Sequence, residues 1–283
     1  MSGPVLVTGA TGKTGRRLLA ALRGRGVPAR AASRRPGEGR VRFDWTDRST
    51  WDTAVEGVGS AYLVSPSGVA DPAPLMIEFV EAAMAKGVAR FVLLSASLLA
   101  AGGPAMGQVH RWLAGSAAEW AVLRPSWFMQ NFSEGPHRAT IRDEHAIYSA
   151  SGAGRIPFIS ADDIAEAAAA VLTADRAPNA DFVLTGPEAF DYAQVAARIG
   201  AAVGFAVTHK PVSVEELVAR LTAAGLGEAH AKALAAMDVA IAGGAEDRTT
   251  PDLQRLIGRP PIGFSSFVTD NVAAWTDRRP AGR

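Results

Sequence analysis

The fold class is decided by the stretch Pro4-Val-Leu-Val-Thr-Gly9-Ala-Thr-Gly12-Lys-Thr-Gly15. Its first five residues form a short, mostly apolar run of the kind that builds a β-strand. From Lys13 to Arg25, the apolar side chains of Leu18, Leu19 and Leu22 recur on one face of a helix. The three glycines therefore lie in a turn that leads from a strand directly into a helix.

The alternation of strands and helices continues along the first half of the chain. Further strands are expected over 28–33, 41–43, 61–65, 91–95 and 120–123, and helices over 49–56, 74–85 and 106–118. Strands that alternate with helices form a parallel sheet covered on both faces. We therefore predict an α/β protein with a doubly wound parallel sheet of the Rossmann type.

Beyond Arg124 the pattern changes to polar segments and capped helices. Ser160-Ala-Asp-Asp163 opens one helix, Ser213-Val-Glu-Glu216 is a capping-box pattern for a second, and 229–241 is an alanine-rich third. We expect the Rossmann domain over 1–132. A smaller, mostly helical substrate lobe is expected over 133–283, partly interleaved with the sheet.

The composition excludes several classes of protein. The formal net charge is +1 and Lys and Arg do not cluster, so we expect a small-molecule substrate and neither nucleic acid nor a membrane as partner. No apolar stretch is long enough for a bilayer, and a strand that begins at Pro4 leaves no room for a leader, so we expect a cytoplasmic monomer or homodimer. Because the chain has no cysteine and no His-x-x-x-His pair, we expect no metal site and no thiol nucleophile.

The glycine-rich turn has the pattern of a dinucleotide-binding loop. Gly9 permits the tight turn, Gly12 permits close approach of the backbone to a pyrophosphate, and Gly15 permits close packing of the helix. The alternative is an ordinary turn between a strand and a helix. A nucleotide triphosphatase loop is excluded, because it needs a glycine at the position of Val7.

The residues after the second strand indicate which dinucleotide binds. An NAD site usually has an acidic residue here, whereas this chain has Ser33-Arg34-Arg35. Two guanidinium groups and a hydroxyl suit the 2′-phosphate of NADP(H), although solvated loop arginines are the alternative. Asp44 and Trp45 are candidates for contacting the adenine, and for Asp44 a simple turn aspartate is the alternative.

Two later motifs carry a resemblance to a known family. Leu123-Arg-Pro-Ser-Trp-Phe-Met-Gln-Asn-Phe132 and Ile147-Tyr-Ser-Ala-Ser-Gly-Ala-Gly-Arg-Ile-Pro-Phe158 resemble segments of the NmrA-like branch of the atypical short-chain dehydrogenases. The stretches from Ala235 to Arg248 and from Gly258 to Pro261 are similar to the ergot-alkaloid reductases of festuclavine and agroclavine synthase type. That group reduces an iminium carbon with NADPH, so the resemblance implies an NADPH-dependent reductase.

The resemblance also implies roles for individual residues. The pyrophosphate would be held by Gly9, Thr11, Gly12, Lys13, Thr14 and Gly15, and the 2′-phosphate by Ser33 with Arg34. The nicotinamide and its ribose would be bordered by Ser65, Pro66, Ser95, Ala96 and Ser97. The substrate side would be formed by Trp127, Phe128, Met129, Asn131, Phe132 and Tyr148. An aromatic cluster at this spacing also suits a plain hydrophobic core.

The usual proton donor of short-chain dehydrogenases is absent. That donor is a Tyr with a Lys four residues later, whereas Tyr62, Tyr148 and Tyr192 are followed at that distance by Pro, Gly and Ala. His110, on the predicted helix before the sixth strand, is the candidate catalytic residue, since imidazole exchanges protons near neutral pH. The alternative is a surface or capping histidine.

Three functions are compatible with the sequence. The first is reduction of an imine, an iminium ion or a related conjugated acceptor, where hydride addition neutralises a charge and needs no strong acid. The second is reduction of a quinone or enone, where Asn131 or His110 would have to stabilise a developing oxyanion. The third is a non-catalytic sensor that binds NADP and regulates a protein partner.

Overall fold

A computed structural model describes residues 3–35, 37–117 and 119–276 of the chain. The strands are β1 Val5–Val7, β2 Ala29–Ser33, β3 Arg40–Arg42, β4 Ser60–Val64, β5 Arg90–Leu94, β6 Glu119–Pro125, β7 Ala146–Ser149, β8 Ala180–Leu184 and β9 Thr208–Pro211. The first helices are α1 Lys13–Gly24, α2 Trp51–Val55, α3 Ala73–Ala85, α4 Met106–Ser116, α5 Gln130–Ser133, α6 Pro136–Glu144 and α7 Ala161–Thr173. The later helices are α8 Tyr192–Val203, α9 Val214–Ala223, α10 Glu228–Ala242, α11 Asp252–Ile257, α12 Phe264–Asp270 and α13 Ala273–Thr276. Residue 118, the expected end of the fourth helix, lies outside the described residues.

The predicted doubly wound sheet is confirmed. Within the described residues, seven strands are ordered β3-β2-β1-β4-β5-β6-β8, and every neighbouring pair is parallel. The central strands are buried along nearly their whole length, as expected for a parallel sheet with helices on both faces. The strand order reverses next to β1, and this is where ligands bind in open α/β sheets.

The chain divides into two compact units. Unit 1 comprises Met1–Pro125, Ala161–Leu184 and Pro251–Arg259, and contains the seven-stranded sheet. Unit 2 comprises Ser126–Ser160, Thr185–Thr250 and Pro260–Arg283. The first boundary follows Pro125, earlier than the expected residue 132. Two later segments, Ala161–Leu184 and Pro251–Arg259, also belong to unit 1, so the two units alternate along the chain.

Unit 1 contains two elements whose residues were expected in the C-terminal lobe: the helix α7, and the strand β8, which the sequence pattern did not predict. The helix α7 packs against α1, and β8 pairs with β6 from Ala121↔Ala180 to Pro125↔Leu184. Most of the alanine-rich α7 is buried, because its small side chains let it lie close to neighbouring elements. The sheet therefore extends one strand beyond β6.

Unit 2 has a core of its own, built mainly from aromatic side chains. The ring of Phe132 lies 5.1 Å from that of Phe158 and 5.8 Å from that of Phe264, in edge-to-face arrangements. Strands β7 and β9 form a separate parallel pair. The predicted cap at Ser213 is confirmed, since its hydroxyl accepts the Glu216 N–H at 3.1 Å.

The helices of the described ranges are too short or too polar to cross a membrane.

Candidate cofactor and substrate site

The glycine loop joins the end of β1 to the start of α1. Gly9 has a φ of +60°, a left-handed conformation that glycine adopts without strain. Gly12 is the N-cap of α1 and has no side chain to cap the first turn, which also contains no acidic residue. The N–H groups and the positive end of the helix dipole are therefore suited to an anion.

Gly15 brings the first turn of α1 unusually close to the loop. A Cβ atom on Gly15 would lie 2.2 Å from the carbonyl oxygen of Gly9 and 2.9 Å from the Cα of Ala10. The loop is also tied to the sheet, because the Thr8 hydroxyl donates to the carbonyl of Tyr62 at 2.9 Å. Thr14 is buried on the same turn and Thr11 is exposed. This arrangement fits a pyrophosphate group.

Ser33, Arg34 and Arg35 follow at the end of β2. Ser33 is half-buried, and its hydroxyl oxygen accepts the backbone N–H of Arg35 at 3.3 Å. Both arginine side chains are exposed, and neither forms an ion pair within the described ranges. Two exposed guanidinium groups at the carboxyl end of β2 are placed as a 2′-phosphate site requires.

Replacing Arg34 with alanine is expected to weaken NADPH binding about tenfold or more and to leave NADH binding nearly unchanged. The change removes a charge-assisted hydrogen bond of about 1.5–3 kcal/mol to a phosphate that NADH lacks. Fluorescence titration with both cofactors measures the effect. Arg23→Ala, which removes the same charge from the last turn of α1, is the control. An equal loss of affinity for NADPH and NADH would contradict the assignment of Arg34 to the 2′-phosphate.

Asp44 and Trp45 lie in a turn after β3. One carboxylate oxygen of Asp44 accepts the N–H of Thr46 at 2.9 Å and its hydroxyl at 2.8 Å, and these bonds hold the pKa of Asp44 below its usual value. The Trp45 side chain is 7% exposed, and its ring packs against Phe43 and Phe79. The local geometry is that of a turn aspartate beside a core tryptophan, and the adenine contact stays a prediction.

The segments after β4 and β5 lie beside the glycine loop at the same edge of the sheet, since β1, β4 and β5 are adjacent and parallel. Ser65, Pro66 and Ala96 are half-buried. The backbone N–H of Ser95 donates to Leu123 at 2.8 Å, whereas its buried hydroxyl has no hydrogen-bond partner in the described part of the chain. Ser97 is buried. A buried hydroxyl without a partner fits a bound polar group at this edge, as a nicotinamide nucleotide would provide.

His110 lies on the buried face of α4. Its side chain is 3% exposed, its ring centroid is 5.9 Å from that of Trp120, and Nδ1 is buried without a hydrogen-bond partner among the described residues. Burial lowers the pKa of His110, with the charge of Asp181 opposing this shift. The imidazole is therefore neutral near pH 7. Its catalytic role stays a prediction.

The three tyrosines are not placed as acid catalysts of the usual kind. Tyr62 and Tyr192 are fully buried, and burial raises the pKa of each phenol. The Tyr148 hydroxyl donates to a carboxylate oxygen of Glu144 at 2.7 Å, and the guanidinium of Arg220 lies 3.7 Å from its ring centroid. Each tyrosine therefore lacks a lysine four residues later, and in addition its phenol is either fully buried or already hydrogen-bonded to a carboxylate.

The residues predicted to form the substrate side divide by burial. Met129 and Phe132 are fully buried in the core of unit 2, and the Trp275 indole N–H donates to the Phe132 carbonyl at 2.8 Å. Trp127, Phe128 and Asn131 are half-buried. Met129 and Phe132 therefore match the alternative of a plain core, whereas the other three keep surface for a ligand. Substrate contact remains a prediction for all of them.

Sequence reasoning assigned no role to Asp238, which the structure buries within unit 2. The available signal was a single carboxylate in the otherwise apolar run from Ala233 to Ala242. In the described part of the chain, no group of three or more His, Asp or Glu side chains is placed to hold a metal ion.

Comparison with known proteins identifies the family and the class of cofactor. Residues 9–175 match the family described as NAD(P)H-binding, which confirms the predicted class of cofactor. The chain is 42% identical over 277 residues to the uncharacterized oxidoreductase YesF of Bacillus subtilis (strain 168), covering 96% of each chain. It is 40% identical to agroclavine dehydrogenase of Claviceps fusiformis, covering 97% of this chain and 99% of that one, which confirms the resemblance noted from the motifs.

A solved structure supports the same fold. The NADPH-dependent quinone oxidoreductase QOR2 of Escherichia coli, complexed with NADPH, superimposes with a TM-score of 0.79 and 26% identity. The match covers 94% of this chain and 99% of that one.

Proposed function

The chain belongs to the NAD(P)H-binding family and is an oxidoreductase, and from this premise we propose that it transfers hydride from NADPH to the carbon of an imine, an iminium ion or a closely related conjugated acceptor. The proposal depends on one observation. The described residues contain no tyrosine with a lysine four residues later, and the phenols they do contain are buried or hydrogen-bonded to Glu144. Lys210 approaches only the ring of Tyr148, with its Nζ 5.7 Å from the ring centroid.

The missing acid affects acceptors differently. Hydride addition to a ketone leaves an alkoxide, which needs a proton or a strong hydrogen bond in the transition state. Hydride addition to C=N⁺ moves the π electrons onto nitrogen and leaves a neutral amine. A site without an acid therefore penalises only the ketone.

NADPH supplies the hydride when it is bound, and the protein supplies position. In the proposal, the loop from Gly9 to Gly15 and the N-terminus of α1 hold the pyrophosphate. Ser33, Arg34 and Arg35 hold the 2′-phosphate, and the Ser95 hydroxyl contributes a hydrogen bond at the nicotinamide end. Correct orientation of two reactants alone contributes several kcal/mol, about 7–11 in favourable cases. Positioning is thus sufficient for an acceptor that is already activated.

The enzyme is expected to reduce N-methyl-3,4-dihydroisoquinolinium with a kcat at least about tenfold above that for 1-tetralone, a ketone of similar size. The measurement follows NADPH absorbance at saturating cofactor. An uncharged cyclic imine should react faster as the pH falls toward its own pKa, whereas the permanent iminium should show no such rise. Ketone reduction without iminium activity would contradict the proposal and make Tyr148 the first proton donor to test.

Reduction of a quinone or enone is the second candidate, because QOR2 is a quinone oxidoreductase and matches this chain over nearly its whole length. A developing oxyanion would then need a partner, and His110 and Asn131 remain the proposed groups. Faster turnover of menadione than of the iminium in the same assay would favour this candidate. NADPH binding without turnover of either acceptor would favour a sensor.

A further inference from the structure

Asp238 is a buried carboxylate with one uncommitted oxygen. It lies on α10 in unit 2, and its side chain is 5% exposed. The Oδ2 atom accepts the backbone N–H of Ala150 at 2.8 Å. The Oδ1 atom accepts no hydrogen bond from the described residues. One of the two carboxylate oxygens is therefore left to accept a hydrogen bond from a ligand or to face its charge.

Among the described residues, no cationic side chain balances the charge of Asp238. It forms no ion pair with any Lys, Arg or His of the described ranges. The imidazole of His209 lies in the same unit, 5.7 Å from the ring of Tyr192, but burial lowers the pKa of His209 and keeps it neutral at pH 7. Burial also raises the pKa of Asp238 to about 6, so the carboxylate is mostly ionised above neutrality. An unpaired buried charge is costly, and such groups are concentrated at functional sites.

Aromatic side chains neighbour this carboxylate. The backbone N–H that Asp238 accepts directly follows Ser149, whose hydroxyl lies 2.8 Å from the Nε2 atom of His209, and the His209 ring lies 5.7 Å from that of Tyr192. The charge of Asp238 contributes to raising the pKa of Tyr192, and the Trp127 side chain acts on this pKa in the opposite direction. Trp127 is half-buried and is one of the residues predicted to contact substrate. A carboxylate close to aromatic rings is the combination that proteins use to bind organic cations.

We propose that the Asp238 carboxylate is the counter-ion for the cationic nitrogen of the acceptor, beside the rings of Tyr192 and Trp127. This inference rests on the proposed function and names its substrate class: a cyclic iminium, or the corresponding ammonium product, on an apolar or aromatic skeleton. A neutral quinone gains nothing from this group.

The chemistry assigns Asp238 to binding and not to the hydride step. As hydride adds to carbon, the C=N π pair becomes the lone pair of nitrogen and the positive charge disappears. The carboxylate therefore stabilises the bound iminium more than the transition state. Loss of the charge should raise KM for a cationic acceptor without lowering kcat.

The test compares Asp238→Asn with the wild type. Asparagine keeps the shape of the side chain and an oxygen acceptor for the Ala150 N–H, removes the charge, and replaces the other acceptor oxygen with an NH2 donor. Glu228→Gln makes the same chemical change at an exposed position on α10 and is the control. Calorimetry in the presence of NADP⁺ measures binding of N,N-dimethyl-1,2,3,4-tetrahydroisoquinolinium, a cation that cannot be reduced. Kinetics with N-methyl-3,4-dihydroisoquinolinium and menadione give the ratio of the two KM values.

Asp238→Asn is expected to weaken binding of the ammonium probe about tenfold or more and to change the KM ratio by a similar factor in favour of menadione. Glu228→Gln should leave the affinity for the ammonium probe and the KM ratio within about twofold of the wild-type values. The inference would be overturned if Asp238→Asn raised KM equally for the cationic and the neutral acceptor, or if it left the affinity for the ammonium probe unchanged. If the wild type binds the probe through Asp238 but never reduces the iminium, the proposed function fails and the cation site stands.

Discussion

Gly15→Ala is expected to weaken NADPH binding about 100-fold. The new Cβ would lie 2.2 Å from the Gly9 carbonyl oxygen and 2.8 Å from its carbon, and both are backbone atoms that cannot rotate away. The loop must move away from α1, which withdraws N–H groups from the pyrophosphate. Loss of two charge-assisted hydrogen bonds of about 1.5 kcal/mol each corresponds to about two orders of magnitude in Kd.

Gly24→Ala is the matched control for this change. Gly24 is the last residue of the same helix, and a Cβ there would have no neighbour within 4 Å. Alanine at Gly24 should leave cofactor affinity unchanged and stabilise the helix by up to about 1 kcal/mol. Titration of both variants with NADPH, together with their melting temperatures, separates a binding effect from unfolding. Wild-type affinity in Gly15→Ala would show that the loop does not hold the pyrophosphate.

Arg90→Leu is expected to destabilise unit 1 by about 3–5 kcal/mol. Arg90 is 0% exposed, and its Nε donates to Glu119 Oε2 at 2.6 Å. Its guanidinium also donates to the carbonyls of Val171, Leu172 and Ala174 at 3.0, 3.1 and 2.7 Å. Leucine would leave these three carbonyls, at and just after the end of α7, without their buried donor, and the half-buried Glu119 carboxylate without its partner.

Arg30 provides the comparison for this prediction. It makes the same kind of contact, donating to the carbonyls of Thr53, Ala54 and Glu56 at 3.3, 2.9 and 2.7 Å, but it is half-buried. Water can replace those bonds, so Arg30→Leu should cost about 1 kcal/mol or less. The midpoint of urea unfolding for each variant measures the difference. A similar loss of unfolding free energy in Arg90→Leu and Arg30→Leu would contradict the idea that burial makes the Arg90 hydrogen bonds more important for stability.

Much of the fold and of the candidate cofactor site was predictable because the determinants of both are local. The glycine spacing, the apolar runs of β1 to β6 and the pair Arg34 and Arg35 are each read within a few residues. The β8 strand was missed, since its sequence, ADFVL, alternates too weakly to indicate a strand, and only pairing with β6 orders it.

The substrate side was less predictable, because a pattern of aromatic residues does not distinguish a core from a binding surface. One motif contains Trp127, Phe128, Met129, Asn131 and Phe132. Of these five side chains, only those of Met129 and Phe132 are fully buried. Which side chains keep exposed surface depends on packing against distant elements such as α12 and α13.

The sequence by itself determined the Rossmann-type sheet, the glycine loop between β1 and α1 and the absence of a Tyr-Lys pair, because each depends on residue types at fixed short spacing. Only the tertiary structure decided that α7 and β8 belong to unit 1, where Arg90 meets residues more than 80 positions later. It also decided that Asp238 is a buried charge, since Ala150, its hydrogen-bond donor, is 88 residues away in the chain. Burial and pKa depend on which distant segments pack together, and that information is not contained in any local pattern.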